Sequence, residues 1–587
     1  MPIIISGADS YHDFGPFRLL PAARVLLREG QPVALTAKVF DLLVVLVENR
    51  GVLLERNFLM NMLWPDAIVE EGNLTQCIFV LRKALGAGHS ETTYIATVPG
   101  RGYRFVAPVT ESTGRVDAPG LPQINDGQQA ISLTTSLAVL PLKLLGVGQT
   151  AILLGTGVAD AIISSLSRNS RLIVRPTTAV LKYAEIGKDP IVAGRELRVD
   201  LVLDGTLQHA GERIRVSMQL VKVTSGVTLW ADRFDATFTD VFAVQDSIAA
   251  QVAEALRLRI GIAGGRRGEG RTDDIEVYQL YIKGRYFWDK RSEPGLTRGL
   301  ECAREMIRLD PNFASAWVGL ADSCALLAEY LFRDPQAMFK EVKSAALKAL
   351  ELDDDLAEAH ASLAEALLYH DWDWAEAERE YRLAIKLNPN YSSAFLFYAW
   401  LLLTQGRFDE ASQSLRRAQR IDPGSLTLKT VMGLPHYYQR QYERAIGHYR
   451  QALEMEADFA QAHYYLGEAL ILEGRYNDAV AAFRHVAPVH PQQALALEAF
   501  AHARAGREDE ARRILQDLTE LAAERYISPY CLARIHAGLR DFEKAFAELE
   551  RGVAERACWM IFLRVDPFLD ELRNDPRFPG LLRLLSP

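Results

Sequence analysis

The C-terminal half of the chain repeats itself every 34 residues, and this repeat constrains the fold more than any other feature of the sequence. The phrases that end each helical pattern keep this spacing, from Pro389 through Pro423 and Ala457 to Pro491. A short helical unit cannot bury its apolar face alone, so such units stack on one another and share a core. The period therefore predicts an array of stacked helical pairs.

Small and large residues recur at fixed places inside each unit. In AQAHYYLGEALILEGRYNDAVAAFRHVAPVHP, Gly467 is predicted where two helices touch, Gly474 in the turn between them, and Phe483 at their interface. The pattern resembles the tetratricopeptide repeat, and the resemblance covers most of residues 275–587. It implies an all-α superhelix whose concave groove holds a peptide or the surface of a partner protein.

Three aromatic residues stand at inward-facing positions of these units, namely Trp400, Tyr437 and Tyr464. Aromatic side chains are enriched at the centres of binding surfaces, so we predict these three as partner contacts. Packing between neighbouring repeats explains the same residues equally well, and both interpretations stay open.

One step of the repeat is longer than the others. The distance from Pro311 to Asp354 exceeds 34 residues, which predicts an insertion around AEYLFRDPQAMF. Asp354 stands where other units carry proline, so the run Asp353–Asp355 is interpreted as an inter-repeat turn rather than a metal site.

Composition and charge exclude several classes of protein. The 587 residues carry a net charge of −9, which argues against a protein that coats nucleic acid with its whole surface. The five cysteines form no CxxC pair, a pattern typical of reduced thiols in a cytosol. The sequence shows neither a signal-peptide pattern nor an apolar run of about eighteen residues. We expect a cytoplasmic protein without a membrane segment, a metal or a cofactor.

Two polar stretches rich in glycine divide the chain into three blocks. Residues 110–136 and 261–274 are predicted to be linkers. The blocks that they separate span residues 11–109, 137–260 and 275–587.

The middle block alternates between strand and helix patterns. SLAVLPL and LIVRP are typical of strands, GVADAIISSLSRNSRL of an amphipathic helix, and FAVQDSIAAQVAEALRLRI of a closing helix. Three strands with short turns lie between them, which predicts a small α/β sandwich with a mixed sheet. The phrases VDLVLDGTLQHAGERIRVSMQLVKVTSGVTLWADRFD and DVFAVQDSIAAQVAEAL resemble the domain of TolB-like and FlgO-like sequences.

The motifs of this block look structural rather than chemical. Trp230, Phe234 and Phe242 are predicted to pack rather than to bind a ligand. The glycines of Gly155–Gly157 are interpreted as a plain turn before a helix, with an anion site at the helix start as the alternative. No nucleophile and base pairing or phosphate-binding loop is found in the sequence.

The first block contains a helix with two different faces. In NLTQCIFVLRKALG, the four residues Leu74, Ile78, Leu81 and Leu85 fall on one stripe, which is a complete core face. Cys77 and Ala84 flank the stripe. The opposite face carries Thr75, Gln76, Phe79, Arg82 and Lys83. Amide and guanidinium groups read base edges, Lys and Thr hold phosphates, and an apolar group contacts a thymine methyl, so this face suits DNA.

The phrases LTAKVFDLLVVLVENRG, WPD, NLTQCIFVLRKALG and YIATVPGRGYRF resemble the OmpR/PhoB-type winged helix, and more closely the version in CadC-like regulators. The resemblance covers residues 11–109. It implies that the helix from residue 73 to 85 is the recognition helix and that a wing arginine enters or skirts the minor groove. The predicted DNA contacts are Asn73, Thr75, Gln76, Phe79, Arg82, Lys83, Arg101 and Tyr103.

Charge and architecture refine this expectation. Residues 1–110 hold ten Lys/Arg and ten Asp/Glu, so positive charge is concentrated on the reading elements rather than spread over the domain. CadC-like sensors carry a membrane helix where this chain has a polar linker, and OmpR-type regulators carry a receiver domain that no block here resembles. Neither membrane sensing nor aspartyl phosphorylation is therefore expected.

The sequence as a whole predicts a multidomain α+β protein, with a winged helix-turn-helix, an α/β sandwich with a mixed sheet and a tetratricopeptide superhelix. Its predicted function is a bacterial-type transcriptional regulator that binds double-stranded promoter DNA, with RNA polymerase, a groove-bound peptide or protein, and a second copy of the chain as further partners. The alternative is a tetratricopeptide scaffold whose winged helix serves protein contact. An enzyme is not expected, because the middle block offers no paired catalytic residues.

Overall fold

The computed structural model describes most of the chain, and it divides into two compact units, Met1–Ile131 and Ser132–Pro587. The described residues are 10–21, 25–28, 31–33, 35, 37–63, 71–85, 94–98, 101–113, 135–144, 149–170, 172–184, 189–210, 213–237, 251 and 274–585.

The described residues of the first unit form three helices and two antiparallel sheets. The elements are β1 (Ser10–Phe14), β2 (Phe17–Leu20), β3 (Val25–Arg28), β4 (Gln31–Pro32), α1 (Ala37–Glu48), β5 (Leu54–Glu55), α2 (Arg56–Leu63), α3 (Glu71–Ala84), β6 (Ile95–Val98), β7 (Gly102–Phe105) and β8 (Thr110–Thr113). One sheet has the strand order β4-β3-β2-β1-β8 and the other β5-β7-β6.

The apolar stripe of α3 closes the core of this unit as predicted. Leu74, Ile78, Leu81 and Leu85 are all buried there, together with residues of α1 and of the sheets. The predicted linker begins too early, because residues 110–113 form β8 and pair with β1. A strand that closes the sheet belongs to the domain and not to a tether.

A mixed sheet forms the centre of the middle domain, as the sequence predicted. Strand β9 runs parallel to both β11 and β12, whereas β12, β13 and β14 are antiparallel to one another. The elements are β9 (Thr135–Val139), β10 (Lys143–Leu144), α4 (Gln149–Ser167), β11 (Leu172–Val174), α5 (Thr177–Val180), α6 (Pro190–Glu196), β12 (Leu201–Ala210), β13 (Arg213–Lys222) and β14 (Thr228–Thr237).

Two features of this domain test the sequence interpretation. Gly155–Gly157 lies inside α4 and not in a turn before it, because α4 begins at Gln149. A Cβ at Gly155 would stand 2.3 Å from the carbonyl oxygen of Leu142, so this glycine lets the helix approach the backbone of the sheet region. The rings of Trp230 and Phe234 pack 6.2 Å apart, whereas Phe242 and the predicted closing helix lie outside the described residues.

The second unit continues as antiparallel helical pairs. The helices are α7 (Ile275–Asp289), α8 (Glu293–Leu309), α9 (Ala314–Glu329), α10 (Pro335–Leu352), α11 (Ala357–Ala366), α12 (Trp374–Leu387), α13 (Ser392–Thr404), α14 (Phe408–Ile421), α15 (Leu426–Val431), α16 (Leu434–Tyr438), α17 (Tyr442–Leu453), α18 (Ala460–Leu472), α19 (Tyr476–Val486), α20 (Pro491–Arg504), α21 (Glu508–Leu521), α22 (Pro529–Gly538), α23 (Phe542–Ala554) and α24 (Phe578–Leu584). Between α23 and α24, two 3-10 turns span Cys558–Phe562 and Pro567–Leu572.

The 34-residue period appears in these pairs as predicted. A Cβ at Gly467 would stand 2.2 Å from the ring of Phe483, so only glycine lets α18 and α19 approach this closely. Gly474 has a φ of +77° in the turn between them. The longer repeat lengthens its helices, because α9 has 16 and α10 has 18 residues, whereas α13 has 13 and α14 has 14. Asp353 caps the end of α10, in keeping with an inter-repeat turn.

The middle domain docks on the repeats through buried hydrogen bonds. The side chain of Asn390, between α12 and α13, accepts from the backbone N–H of Val174 at 3.1 Å. Its amide group donates to the carbonyls of Ser167, Asn169 and Leu172 at 2.8–3.2 Å. These bonds satisfy backbone groups of the middle domain that would otherwise be buried without partners.

Arg175 forms a second link between the middle domain and the repeats. Its Nη1 donates to the carbonyls of Arg420 and Ile421, which end helix α14, while its Nε and Nη2 donate to carbonyls of its own domain. Burial lowers the pKa of this guanidinium to about 10, so it remains charged at neutral pH. A cation at a helix C-terminus is stabilised by the free carbonyls and the helix dipole. The middle domain and the repeats are therefore joined by specific polar contacts.

The described helices include none that combines the length and the hydropathy required to cross a lipid bilayer.

Candidate functional site

Helix α3 presents an exposed face that combines an aromatic ring with cations. Thr75, Phe79 and Lys83 follow one another at four-residue spacing and are all exposed, and 62% of the Phe79 surface is in contact with solvent. The core stripe of α3 is already complete, and among the described residues of this unit Phe79 is not part of the buried core. A solvent-exposed aromatic ring beside cations is suited to contact with a nucleic acid.

Arg82 connects this helix to the β6–β7 hairpin. Its Nη2 donates to the carbonyl of Ile95 at 2.8 Å and to Oγ1 of Thr97 at 2.7 Å, and both residues belong to strand β6. The sequence identified Arg82 but not Thr97, because residues 15 positions apart on a helix and a strand show no common pattern. Arg82 therefore fixes the hairpin relative to α3, in addition to placing a positive charge on this face.

The hairpin itself presents Arg101 and encloses Tyr103. Arg101 is exposed at the turn between β6 and β7, and Arg104 is exposed on β7. The prediction of Tyr103 as a DNA contact needs correction, because only 4% of its surface is exposed and its ring packs in the core of the unit. Alternation along a strand places neighbouring residues on opposite faces, so Tyr103 faces inward and Arg104 outward.

The remaining predicted contacts lie in the same helix. Asn73 and Gln76 are part of α3, and their side chains fall outside the described part of the structure.

Gly102 begins β7, and a Cβ there would stand 2.0 Å from the carbonyl oxygen of Leu54. The hairpin can therefore lie against β5 only with glycine at this position.

The three aromatic residues predicted to bind a partner lie inside the superhelix. Tyr437 is 2% exposed, whereas Trp400 and Tyr464 are half-buried. Phe562 contacts Trp400 with a centroid distance of 5.7 Å, and Trp559 contacts Tyr464 at 6.4 Å. The segment after α23 therefore covers the two half-buried side chains, and the structure favours a packing role for Tyr437.

Comparison with protein families identifies each region in turn. Residues 30–105 match the family described as "Transcriptional regulatory protein, C terminal". Residues 133–251 match the second domain of HilA/YgeH-like transcriptional regulators, whereas the sequence alone had suggested TolB-like and FlgO-like domains. Residues 368–432 and 431–494 match tetratricopeptide repeats.

Individual relatives agree with this assignment. Transcriptional regulator HilA of Salmonella typhimurium is 26% identical over 401 residues, which is 68% of this chain and 68% of that protein. Transcriptional activator CadC of Escherichia coli is 35% identical over 96 residues, covering 16% of this chain and 19% of CadC. The solved DNA-binding domain of CadC is 33% identical, with a TM-score of 0.17, and the match covers 18% of this chain and 98% of that domain.

A third relative carries a different name. A protein of Rhizobium meliloti named putative adenylate cyclase 3 is 29% identical over 238 residues, covering 40% of each chain.

The family matches, the relatives and the two faces of α3 lead to one assignment. The chain is a DNA-binding transcriptional regulator that joins an OmpR/PhoB-type winged helix, similar to that of CadC, to a HilA/YgeH-like second domain and tetratricopeptide repeats.

Proposed function

We propose that α3 enters the major groove of promoter DNA and that the β6–β7 hairpin contacts the backbone or the minor groove beside it. The exposed ring of Phe79 carries the proposal, because it lies on the face that the core of the domain does not use. Gln76 would read a base edge, Phe79 would contact a thymine methyl, and Thr75 and Lys83 would hold phosphates. Asn73 begins the same face and is proposed as a further contact.

The two arginines have different proposed roles. Arg101 is exposed at the end of the hairpin and would lie at the minor groove. Arg82 donates to Ile95 and Thr97 of the hairpin, so it would position the wing as well as attract phosphate. Loss of both arginines should therefore remove the contact of Arg101 with the minor groove and leave the hairpin less firmly positioned against α3.

Binding of the full-length protein to a labelled duplex, selected from a random-sequence pool, tests this interface by fluorescence anisotropy. The double variant Arg82→Ala, Arg101→Ala should lose preference for the selected sequence over a scrambled duplex. A control with Arg195→Ala and Arg233→Ala removes the same charge from exposed positions of the middle domain. Unchanged preference in the first variant, or no sequence preference in the wild type, would favour the scaffold alternative.

Single substitutions separate base reading from phosphate contact. Gln76→Ala should cost about 1–3 kcal/mol on the selected duplex and relax preference at one base position. Lys83→Ala should weaken binding to all sequences alike and reduce the salt dependence by about one phosphate contact. If Gln76→Ala weakens binding to all DNA sequences alike, as Lys83→Ala should, then Gln76 contacts the DNA backbone rather than a base.

The second unit is proposed to connect DNA binding to other proteins. Tetratricopeptide repeats commonly bind peptides or partner surfaces, and a regulator at a promoter acts through RNA polymerase. Purified RNA polymerase, titrated in sedimentation experiments with the full chain, should form a complex that the isolated residues 1–131 do not form. Sedimentation of the chain alone measures whether it also forms a homo-oligomer.

We propose further that the chain acts in the cytoplasm and without catalysis. DNA as its ligand and a sequence without a CxxC pair support the compartment. The regulator families matched by the first two regions support a role in binding. Because one relative is named an adenylate cyclase, incubation with ATP and Mg²⁺ is the direct test, and formation of cyclic AMP would contradict the proposal.

A further inference from the structure

The interior of the superhelix contains a cavity of about 110 Å³ that is walled by aromatic rings. Trp400 and Tyr465 lie on the repeat side of the wall, and Trp559 and Phe562 belong to the segment after α23. Phe562 also stacks on Tyr438 with ring planes 5° apart. The cavity exists only because this C-terminal segment folds back into the groove.

More carboxylates than arginines line this aromatic cavity. Glu468 and Asp566 share Arg534, whose Nη2 lies 2.5 Å from Glu468 and whose Nε lies 3.6 Å from Asp566. The guanidinium of Arg534 also stacks 3.9 Å from the ring of Phe568. Arg534 therefore forms an ion pair with each of these two carboxylates.

A second carboxyl pair has no such cation. Glu329 lines the cavity and lies beside Glu365, which is 2% exposed. The Oε1 atom of each has no hydrogen-bond partner among the described residues, and neither carboxyl forms an ion pair with them. Arg291 also lines the cavity and favours the ionised form of Glu329, while its guanidinium stacks 4.0 Å from the ring of Trp288.

Burial favours the protonated form of both carboxyl groups of this pair. Burial raises the pKa of Glu329 to about 7, and burial together with the Glu329 carboxylate raises the pKa of Glu365 well above its ordinary value. A positive ligand would take the place of the proton, since an opposite charge favours the ionised carboxylate. Aromatic rings that line a cavity can also attract a cation to their negative π-faces.

We propose that this cavity binds a small alkylammonium cation, held by the rings of Trp400, Trp559 and Phe562 and by the carboxylate of Glu329, beside which Glu365 is buried. The volume accommodates a small organic cation and not a peptide. The site lies between the repeats and the segment that closes them, so a bound cation would stabilise the closed arrangement. The proposal does not rest on the DNA contacts of the winged helix.

Calorimetric titration of the full-length chain with choline chloride tests the site, with 3,3-dimethylbutan-1-ol as the uncharged probe of the same shape. Choline should bind at least tenfold more tightly than the alcohol at constant ionic strength. Methylammonium and butylammonium chloride extend the series to smaller and longer cations. Equal binding of choline and the alcohol, or no binding of any of the three cations at 10 mM (roughly the weak limit of specific binding), would overturn the proposal.

Two variants locate the binding within the molecule. Glu329→Gln keeps the shape of the side chain and should weaken choline at least tenfold, whereas Glu473→Gln, at an exposed position, should leave it unchanged. Trp400→Leu should weaken choline more than the alcohol, because it removes a π-face and retains an apolar wall. Unfolding midpoints confirm that each variant is folded, and choline binding by Glu329→Gln at wild-type affinity would contradict the assignment.

Discussion

Phe79 shows how one side chain can be separated from its neighbours by its position on a helix. Ile78 and Leu81 are buried on either side of it in the sequence, while Phe79 remains in solvent at the same helical level. Exposure of a large apolar ring is unfavourable in the free protein, so removing it should not reduce the stability of the domain.

Phe79→Ala should weaken binding to the selected duplex about tenfold, because contact with DNA buries part of the ring (about 1–2 kcal/mol), and should leave the unfolding midpoint unchanged. Val52→Ala is the matched control, since Val52 is an exposed apolar residue of the same unit. Anisotropy and thermal unfolding measure the two effects separately. A drop in stability for Phe79→Ala would show that its ring packs within the protein instead.

Two glycines of the repeats give a second prediction about single residues, because one lies against a neighbouring ring and the other lies in open space. A Cβ at Gly467 would collide with Phe483, whereas a Cβ at Gly447, within α17, meets nothing within 4 Å. Gly467→Ala should destabilise the repeats by about 1–3 kcal/mol through overpacking. Gly447→Ala should stabilise them by up to about 1 kcal/mol, since alanine favours the helix. Urea unfolding measures both, and equal signs would contradict the predicted helix contact.

Among the elements, the end of α9 brings distant repeats together. Gln493 of α20 donates to the carbonyl of Tyr330 at 2.6 Å, and Nε1 of Trp559 donates to the carbonyl of Glu329 at 3.0 Å. His490 stacks on Phe332 with a centroid distance of 5.2 Å. The end of α9 is therefore held by both α20 and the segment after α23.

His490 should make this connection sensitive to acid. Burial lowers the pKa of His490 from 6.5 to about 4, and its Nδ1 has no hydrogen-bond partner in the described part of the chain. Between pH 6.5 and pH 4 the unfolded chain takes up a proton that the folded chain does not bind, so the unfolding free energy falls as the pH decreases. Above pH 6.5 this contribution to stability is fully present.

Between pH 7 and pH 5, titration of His490 should lower the unfolding free energy of the wild type by about 2 kcal/mol. His490→Phe should not show this loss. Phenylalanine keeps the stacking on Phe332, so the two proteins should be compared by urea unfolding at both values of pH. His485→Phe provides the control at an exposed position. An unchanged pH slope in His490→Phe would show that this histidine does not titrate differently in the two states.

For the whole molecule, Asn390 decides how the middle domain sits on the repeats. It is 4% exposed, and its side chain makes four hydrogen bonds to backbone groups of that domain. Together with Arg175, it joins the α/β domain to the superhelix through buried hydrogen bonds.

Asn390→Ala should destabilise the second unit by about 2 kcal/mol or more, because it leaves several buried backbone groups without partners. Hydrogen exchange of the peptide that contains Val174 should become faster, since the N–H of Val174 donates to Asn390. Asn312→Ala is a close control, because Asn312 occupies the equivalent place in the phrase LDPNF and is exposed. Equal exchange in both variants would show that the domain is held elsewhere.

The sequence by itself determined the features that depend on nearby residues or on a regular spacing. The buried stripe of α3 follows from positions three and four apart, and the contact of Gly467 with Phe483 follows from a unit that repeats every 34 residues. The exposure of Phe79 follows from the same spacing, because Phe79 does not fall on the stripe of α3 that faces the core.

Only the tertiary structure decided which of several similar residues meets a distant partner. LNPNY and LDPNF read alike, yet Asn390 is buried against the middle domain and Asn312 is exposed. Phe562 entered the groove and met Trp400 for the same reason. Contacts between residues more than a hundred positions apart depend on how the whole chain closes, and no local pattern records that closure.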